Sequence, residues 1–127
     1  MLLGSPLGYE ISSTGGAKAK YPELMGIYKP TGDTHNSFPT YKHENGEYYL
    51  YVNDEPYDDW IVSTSGYENT ASIFANKPSD QSGPPTVGWK YFNNGWQSDP
   101  TMRVFKHNEQ GLYNMKKRGK KLITIYP

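Results

Sequence analysis

The chain has 127 residues, enough for one domain, with no cysteine and a formal net charge of zero. It therefore has no disulfide, thiolate zinc site or thiol nucleophile, and no run approaches the roughly 20 apolar residues of a membrane span. The neutrality hides a split. Residues 1–100 carry 6 Lys/Arg against 12 Asp/Glu and residues 101–127 carry 7 against 1, so any attraction to nucleic acid or an anionic surface is local to the tail.

Only 35% of the residues are hydrophobic, but 12 Tyr, 4 Phe and 3 Trp are among the aromatics. Each such ring can bury roughly 150–250 Å². A thin core built from Tyr and Trp is expected, and disorder of the middle of the chain is not. The start, Met1-Leu2-Leu3-Gly4-Ser5-Pro6, has no basic n-region, and no Asn-x-Ser/Thr sequon is present. Together with the missing cysteine this leans towards the cytoplasm, with the location itself left open.

In chain order, residues 1–20 read as a flexible arm because Ser12-Ser13-Thr14-Gly15-Gly16 carries no periodicity. At most one short strand is expected there, near Leu7–Ile11. Residues 21–127 read as a single β domain ending in a basic C-terminal hairpin or tail. The expected strands are Leu24–Tyr28, then Thr40–His43 and Glu47–Val52 about the hairpin signal Asn45-Gly46, whose residues tolerate positive φ. Trp60–Thr64 and Thr70–Ala75 follow, separated by Ser65-Gly66. A loop with three prolines, Asn76–Thr86, precedes Val87–Phe92 and Trp96–Ser98, which flank Asn93-Asn94-Gly95. Thr101–His107 and Leu122–Tyr126 complete the series, and one helical turn near Asn108–Asn114 is the most that composition allows.

That pattern defines the expected fold as all-β: a small antiparallel meander of about eight short strands closing into a barrel or sandwich, with little or no helix. In Glu47–Val52, Tyr49 and Tyr51 share one face while Tyr48, Leu50 and Val52 share the other. Both faces are apolar or aromatic, as in a central strand. In Thr101–His107, Met102 and Val104 oppose Arg103 and Phe105, a partly exposed pattern.

The series Gly26-Ile27-Tyr28, Phe38-Pro39-Thr40-Tyr41, Tyr48-Tyr49-Leu50-Tyr51 and Trp60-Ile61-Val62 continues through Pro84-Pro85, Gly88-Trp89-Lys90-Tyr91, Gly95-Trp96, Asp99-Pro100 and Val104. In order and spacing it resembles a poorly characterised Tyr/Trp-rich module of marine invertebrate and protist proteins, often present there in several copies. The resemblance covers about residues 24–104. It departs at Asn36-Ser37-Phe38-Pro39, where the module carries Gly-Arg before the proline. It implies an accessory or interaction domain and transfers no catalytic residue.

Four groups of residues are candidates for chemistry. The acidic stretch Asn53-Asp54-Glu55-Pro56-Tyr57-Asp58-Asp59 has oxygens suited to a hard cation but lacks the spacing of an EF-hand loop, so a solvated turn is the expectation. His35, His43 and His107 have no zinc spacing and read as surface histidines. The run Lys116, Lys117, Arg118, Lys120 and Lys121 can meet phosphates or anionic lipid, or simply flank a turn into Leu122–Tyr126.

The aromatics carry the fourth candidate. Trp60, Trp89 and Trp96 with Tyr41, Tyr49 and Tyr51 can stack on sugars, peptides or bases, although about two-thirds of the rings are needed as core. Trp96 beside a hairpin tip and Tyr57 in the acidic turn are the expected exposed rings. The sequence thus points to a non-enzymatic binding or protein-interaction module, with Trp96, Trp89, Trp60, Tyr57 and Tyr49 as its ligand-binding residues and a carbohydrate or peptide as its ligand. The alternatives are a structural or assembly domain, and binding of nucleic acid or an anionic surface through residues 116–121. No metal or cofactor is expected.

Overall fold

The computed structural model describes residues 8–68, 70–79 and 83–107. Its strands are β1 (Tyr9–Ser12), β2 (Gly26–His35), β3 (Phe38–His43), β4 (Tyr49–Val52), β5 (Asp59–Ser63), β6 (Ile73–Asn76), β7 (Lys90–Phe92), β8 (Trp96–Ser98) and β9 (Arg103–Lys106). They form one nine-stranded sheet in the order β8-β7-β6-β5-β4-β3-β2-β1-β9, and every pair is antiparallel. The expected all-β meander is what forms. Among the described residues, helix is confined to the five-residue α1 (Gly16–Lys20) and a 3-10 turn at Pro22–Leu24.

The topology forces the sheet to curl. β8 and β9 are its two edges, and a flat sheet would hold them roughly 38 Å apart at about 4.8 Å per strand. Yet Ser98 and Arg103 are joined by only four intervening residues, a span of at most about 18 Å. The sheet is therefore curled into a half-barrel whose two edge strands do not pair and are held near each other at one end only, at a seam formed by residues 99–102. Buried Asp99 fastens that seam. Its carboxylate accepts from the Ser13 hydroxyl (2.7 Å), the Ala17 N–H at the start of α1 (2.9 Å), and the Thr101 N–H (2.9 Å) and hydroxyl (2.7 Å). Burial alone would raise its pKa, but these hydrogen bonds outweigh burial and hold it down at about 2. Farther along, the Val104 N–H donates to the Thr86 carbonyl and covers part of the β9 edge.

The concave face is the core. Ile11, Tyr28, Leu50, Trp60, Ile73 and Trp89 are among its fully buried side chains. Residues 9–20 are no arm: β1 lies between β2 and β9, Ile11 and Ala17 are buried, and Ser13 joins the seam. Composition hid this because a strand flanked on both sides needs only two inward residues, Tyr9 and Ile11. Gly16 lies against the Tyr91 hydroxyl, where no Cβ fits.

β2 also runs past Tyr28 to His35. The turn-like Pro30-Thr31-Gly32-Asp33 is a bulge within the strand, with a register shift between Pro30 and Thr34 and Gly32 at φ +91. The tightest hairpin then follows at Asn36-Ser37, both at positive φ (50 and 70), directly joining His35 to Phe38. Asn45-Gly46 does connect β3 to β4, but neither residue has positive φ and the connection runs from Glu44 to Tyr48. At β7–β8 the expected Asn-Gly signal holds, with Asn94 at φ 56 and Gly95 at φ 125. The expectations for Asn108–Asn114 and Leu122–Tyr126 lie outside the described residues.

Candidate functional site

Register assigns each side chain to one of the two faces. Trp60 pairs with Ala75 and Val62 with Ile73, all in the core, so their neighbours Ile61 and Phe74 project from the convex side. Cross-strand partners share a face, which places Tyr49, Tyr51, Ile61, Phe74, Lys90, Phe92, Trp96 and Ser98 there as well. The convex face from β4 to β8 is an aromatic stripe with two contrasting halves.

The half over β4 and β5 is covered. The connection between β5 and β6 folds back so that Tyr67 packs edge-on against Tyr49 (5.2 Å) and Tyr51 (5.0 Å) and stacks on His35 (5.1 Å). The Tyr67 hydroxyl hydrogen-bonds Thr40 (2.9 Å), and His35 reaches Asp54 (2.8 Å). Tyr51, Ile61 and Ser63 are fully buried beneath this cover.

The half over β6 to β8 is open. Trp96 sits edge-on to Phe74 (4.6 Å) and to Phe92 (5.3 Å), so its ring is braced on two sides. It nonetheless remains 43% exposed, and Phe92 44%. Lys90 lies exposed between Phe74 and Ser98 across the sheet, with no ion-pair partner among the described residues.

The backbone beside this patch is also open. The Asn93 N–H donates to Gly95 and the Asp99 N–H to Trp89. In an antiparallel ladder inward and outward residues alternate. The N–H and C=O groups of Gln97 therefore face β7, while those of Trp96 and Ser98 point off the sheet edge.

The five aromatics expected to bind ligand are dispersed. Trp60 and Trp89 are core residues with no surface to offer, a correction that follows from their side of the sheet. The Trp89 indole N–H is satisfied by the Pro85 carbonyl (2.8 Å), while Trp60 Nε1 is buried with no hydrogen-bond partner among the described residues. Tyr49 lies half-buried under Tyr67. Tyr57 is 68% exposed, but in the β4–β5 turn, beyond the row of Val52 and Trp60 and away from Trp96. Only Trp96 is in an exposed aromatic group. Phe74, Phe92 and Lys90 were not singled out from sequence, although a three-residue Asn-Asn-Gly loop already sets Phe92 opposite Trp96.

His43 is buried rather than on the surface. Its Nδ1 accepts the Asn45 N–H (3.0 Å), so Nε2 carries the proton donated to the Met25 carbonyl (2.7 Å), between the rings of Tyr28 and Tyr48. Burial pushes the Tyr41 hydroxyl up to about 12, with Tyr9 adding to it. His35 and His107 are partly buried.

The acidic stretch closes on itself as a turn. Asp58 pairs with Lys77 (3.3 Å), Asp59 accepts from Asn76 (3.2 Å), and Asn53 Oδ1 takes the Asp59 N–H (2.7 Å). Among the described residues no three His, Cys, Asp or Glu side chains are grouped to hold a metal, and no helix is long and apolar enough to cross a membrane. Lys116, Lys117, Arg118, Lys120 and Lys121 lie outside the described residues. Comparison with protein-family models, curated proteins and solved structures finds no match in any of the three.

Proposed function

We propose that the domain is a non-enzymatic interaction module whose contact surface is the open half of the convex face, centred on Trp96. The observation that carries this reading is the contrast among the three tryptophans: two are sealed in the core, and the third is held on the surface by Phe74 and Phe92. A fixed ring with a wet face stacks on a partner at little entropic cost. A flat sugar face and a peptide side chain both suit it. The resemblance in the order of the aromatics points the same way, to an accessory or interaction domain.

An array of oligosaccharides and peptides probed with wild type and Trp96→Ala tests the reading. Ligands retained by wild type and lost by Trp96→Ala support it. Empty arrays combined with stable self-association in light scattering overturn it in favour of a structural role.

A further inference from the structure

The two sheet edges differ in how they are guarded, and that difference bears on the kind of partner. β9 carries Arg103 and Lys106, and its outward Val104 N–H is already taken by Thr86. β8 carries Trp96, Gln97 and Ser98, with no charge or proline in the strand to discourage pairing, and all three residues are exposed. An exposed edge with outward amides accepts an added strand, and pockets or partners for alternate side chains then give specificity.

On the assumption that the open convex half is the contact surface, we infer that β8 is the docking edge for an extended peptide that joins antiparallel, with an acidic residue followed two positions later by an apolar one. Both outward residues then exchange N–H···O bonds with the residue directly opposite, as antiparallel geometry allows. The peptide residue facing Trp96 lies on the convex side and extends the row of Phe74, Phe92 and Trp96. The residue facing Ser98 lies on the same side.

Charge sets the second requirement. Lys90 is the cross-strand partner of Ser98 and has no ion pair among the described residues. The added strand lies about 4.8 Å beyond β8. The short serine leaves the flexible lysine stem a path over it to a carboxylate there. Antiparallel to β8, the peptide meets Ser98 first and Trp96 two residues later, which fixes the order acidic–x–apolar.

The test uses blocked nonapeptides titrated into the ¹⁵N-labelled protein: Thr-Val-Thr-Asp-Thr-Phe-Thr-Val-Thr, the same peptide with Lys for Asp, and the same peptide with Phe and Asp exchanged. The Asp-before-Phe peptide should shift the Trp96 and Ser98 amides and bind about threefold tighter than the Lys peptide, an ordinary value for a solvated ion pair. Lys90→Glu should reverse that preference. Ser98→Pro removes an outward N–H without touching the β7–β8 ladder, so it should abolish binding while the amide spectrum of the core stays intact.

Equal binding of the Asp and Lys peptides, or full binding by Ser98→Pro, overturns the inference. Loss of binding in Trp96→Ala with Ser98→Pro and Lys90→Glu unaffected leaves the surface reading standing and the edge inference refuted. Peptides that bind wild type and Trp96→Ala alike refute both. Concentration-dependent dimers abolished by Ser98→Pro, without peptide binding, replace the peptide by a second copy.

Discussion

Trp60 and Trp96 are the same residue on the same sheet, one facing the concave side and one the convex. Trp60 packs against Phe38 (5.9 Å) and Tyr41 (6.4 Å) with no exposed surface. Trp96 also touches two aromatic rings, closer than those, yet keeps 43% of its surface in water. Ring contacts alone therefore do not distinguish core from contact surface. What distinguishes them is whether the sheet closes over the ring, and here the half-barrel closes over one face only.

The largest effect belongs to the concave side. Trp60→Ala removes one of the two largest fully buried side chains and should cost about 3–5 kcal/mol, the usual range for a buried aromatic truncated to alanine. Trp60→Phe should recover a good part of that loss, because it also removes the buried indole N–H that has no partner. Urea denaturation of the two variants checks the order. Equal losses would show that neither the retained ring nor removal of the unpartnered N–H recovers stability, and a small loss for Trp60→Ala would erase the contrast with Trp96.

The seam comes next, since it keeps the concave face closed. Asp99 is depressed from its usual 3.8 to about 2 in the folded chain, which corresponds to roughly 2 kcal/mol of stabilisation. A depressed carboxylate contributes fully above its unfolded pKa and loses its contribution as pH falls through the folded value. Asp99→Ala should thus be less stable than wild type by about 2 kcal/mol or more at pH 7, with the gap narrowing as pH drops from about 4 towards 2. A gap independent of pH would show that the side chain acts through packing and not through its charge.

Much of this architecture is legible in the sequence, and the limits are physical. The alternation in Tyr49–Val52 and the Asn94-Gly95 turn are local, and both strands and hairpin follow from them. The place of β1 is not local: two inward residues inside Ser/Gly-rich surroundings read as an arm, and only pairing with Arg103–Lys106, some ninety residues later, reveals a strand. The seam role of Asp99 depends on Ser13 and Ala17 arriving from that same stretch. For the candidate surface, Trp60-Ile61-Val62 is apolar at every position, so parity cannot say which residue faces inward. The answer comes from register: Ile61 shares the convex face with Tyr51, against which Tyr67 packs, and Trp60 shares the core with Val52 and Ala75. Trp96 was readable as exposed because it flanks a hairpin tip, but its bracing by Phe74 requires β6 and β8 to flank β7.

The smallest expected change is the most informative. Trp96→Ala forfeits two edge-on ring pairs on a partly wet surface, worth about 0.5–1.5 kcal/mol each before solvent exposure discounts them. The variant should lose about 1 kcal/mol or less, because the strand partners of β8 are set by backbone bonds and the Asp99 seam, neither of which involves the indole. The same variant should lose most of the acrylamide-quenchable tryptophan fluorescence, since Trp60 and Trp89 are sealed from the quencher. If Trp96→Ala unfolds the domain or leaves quenching unchanged, its ring is core after all, and the convex face has no braced aromatic to offer a partner.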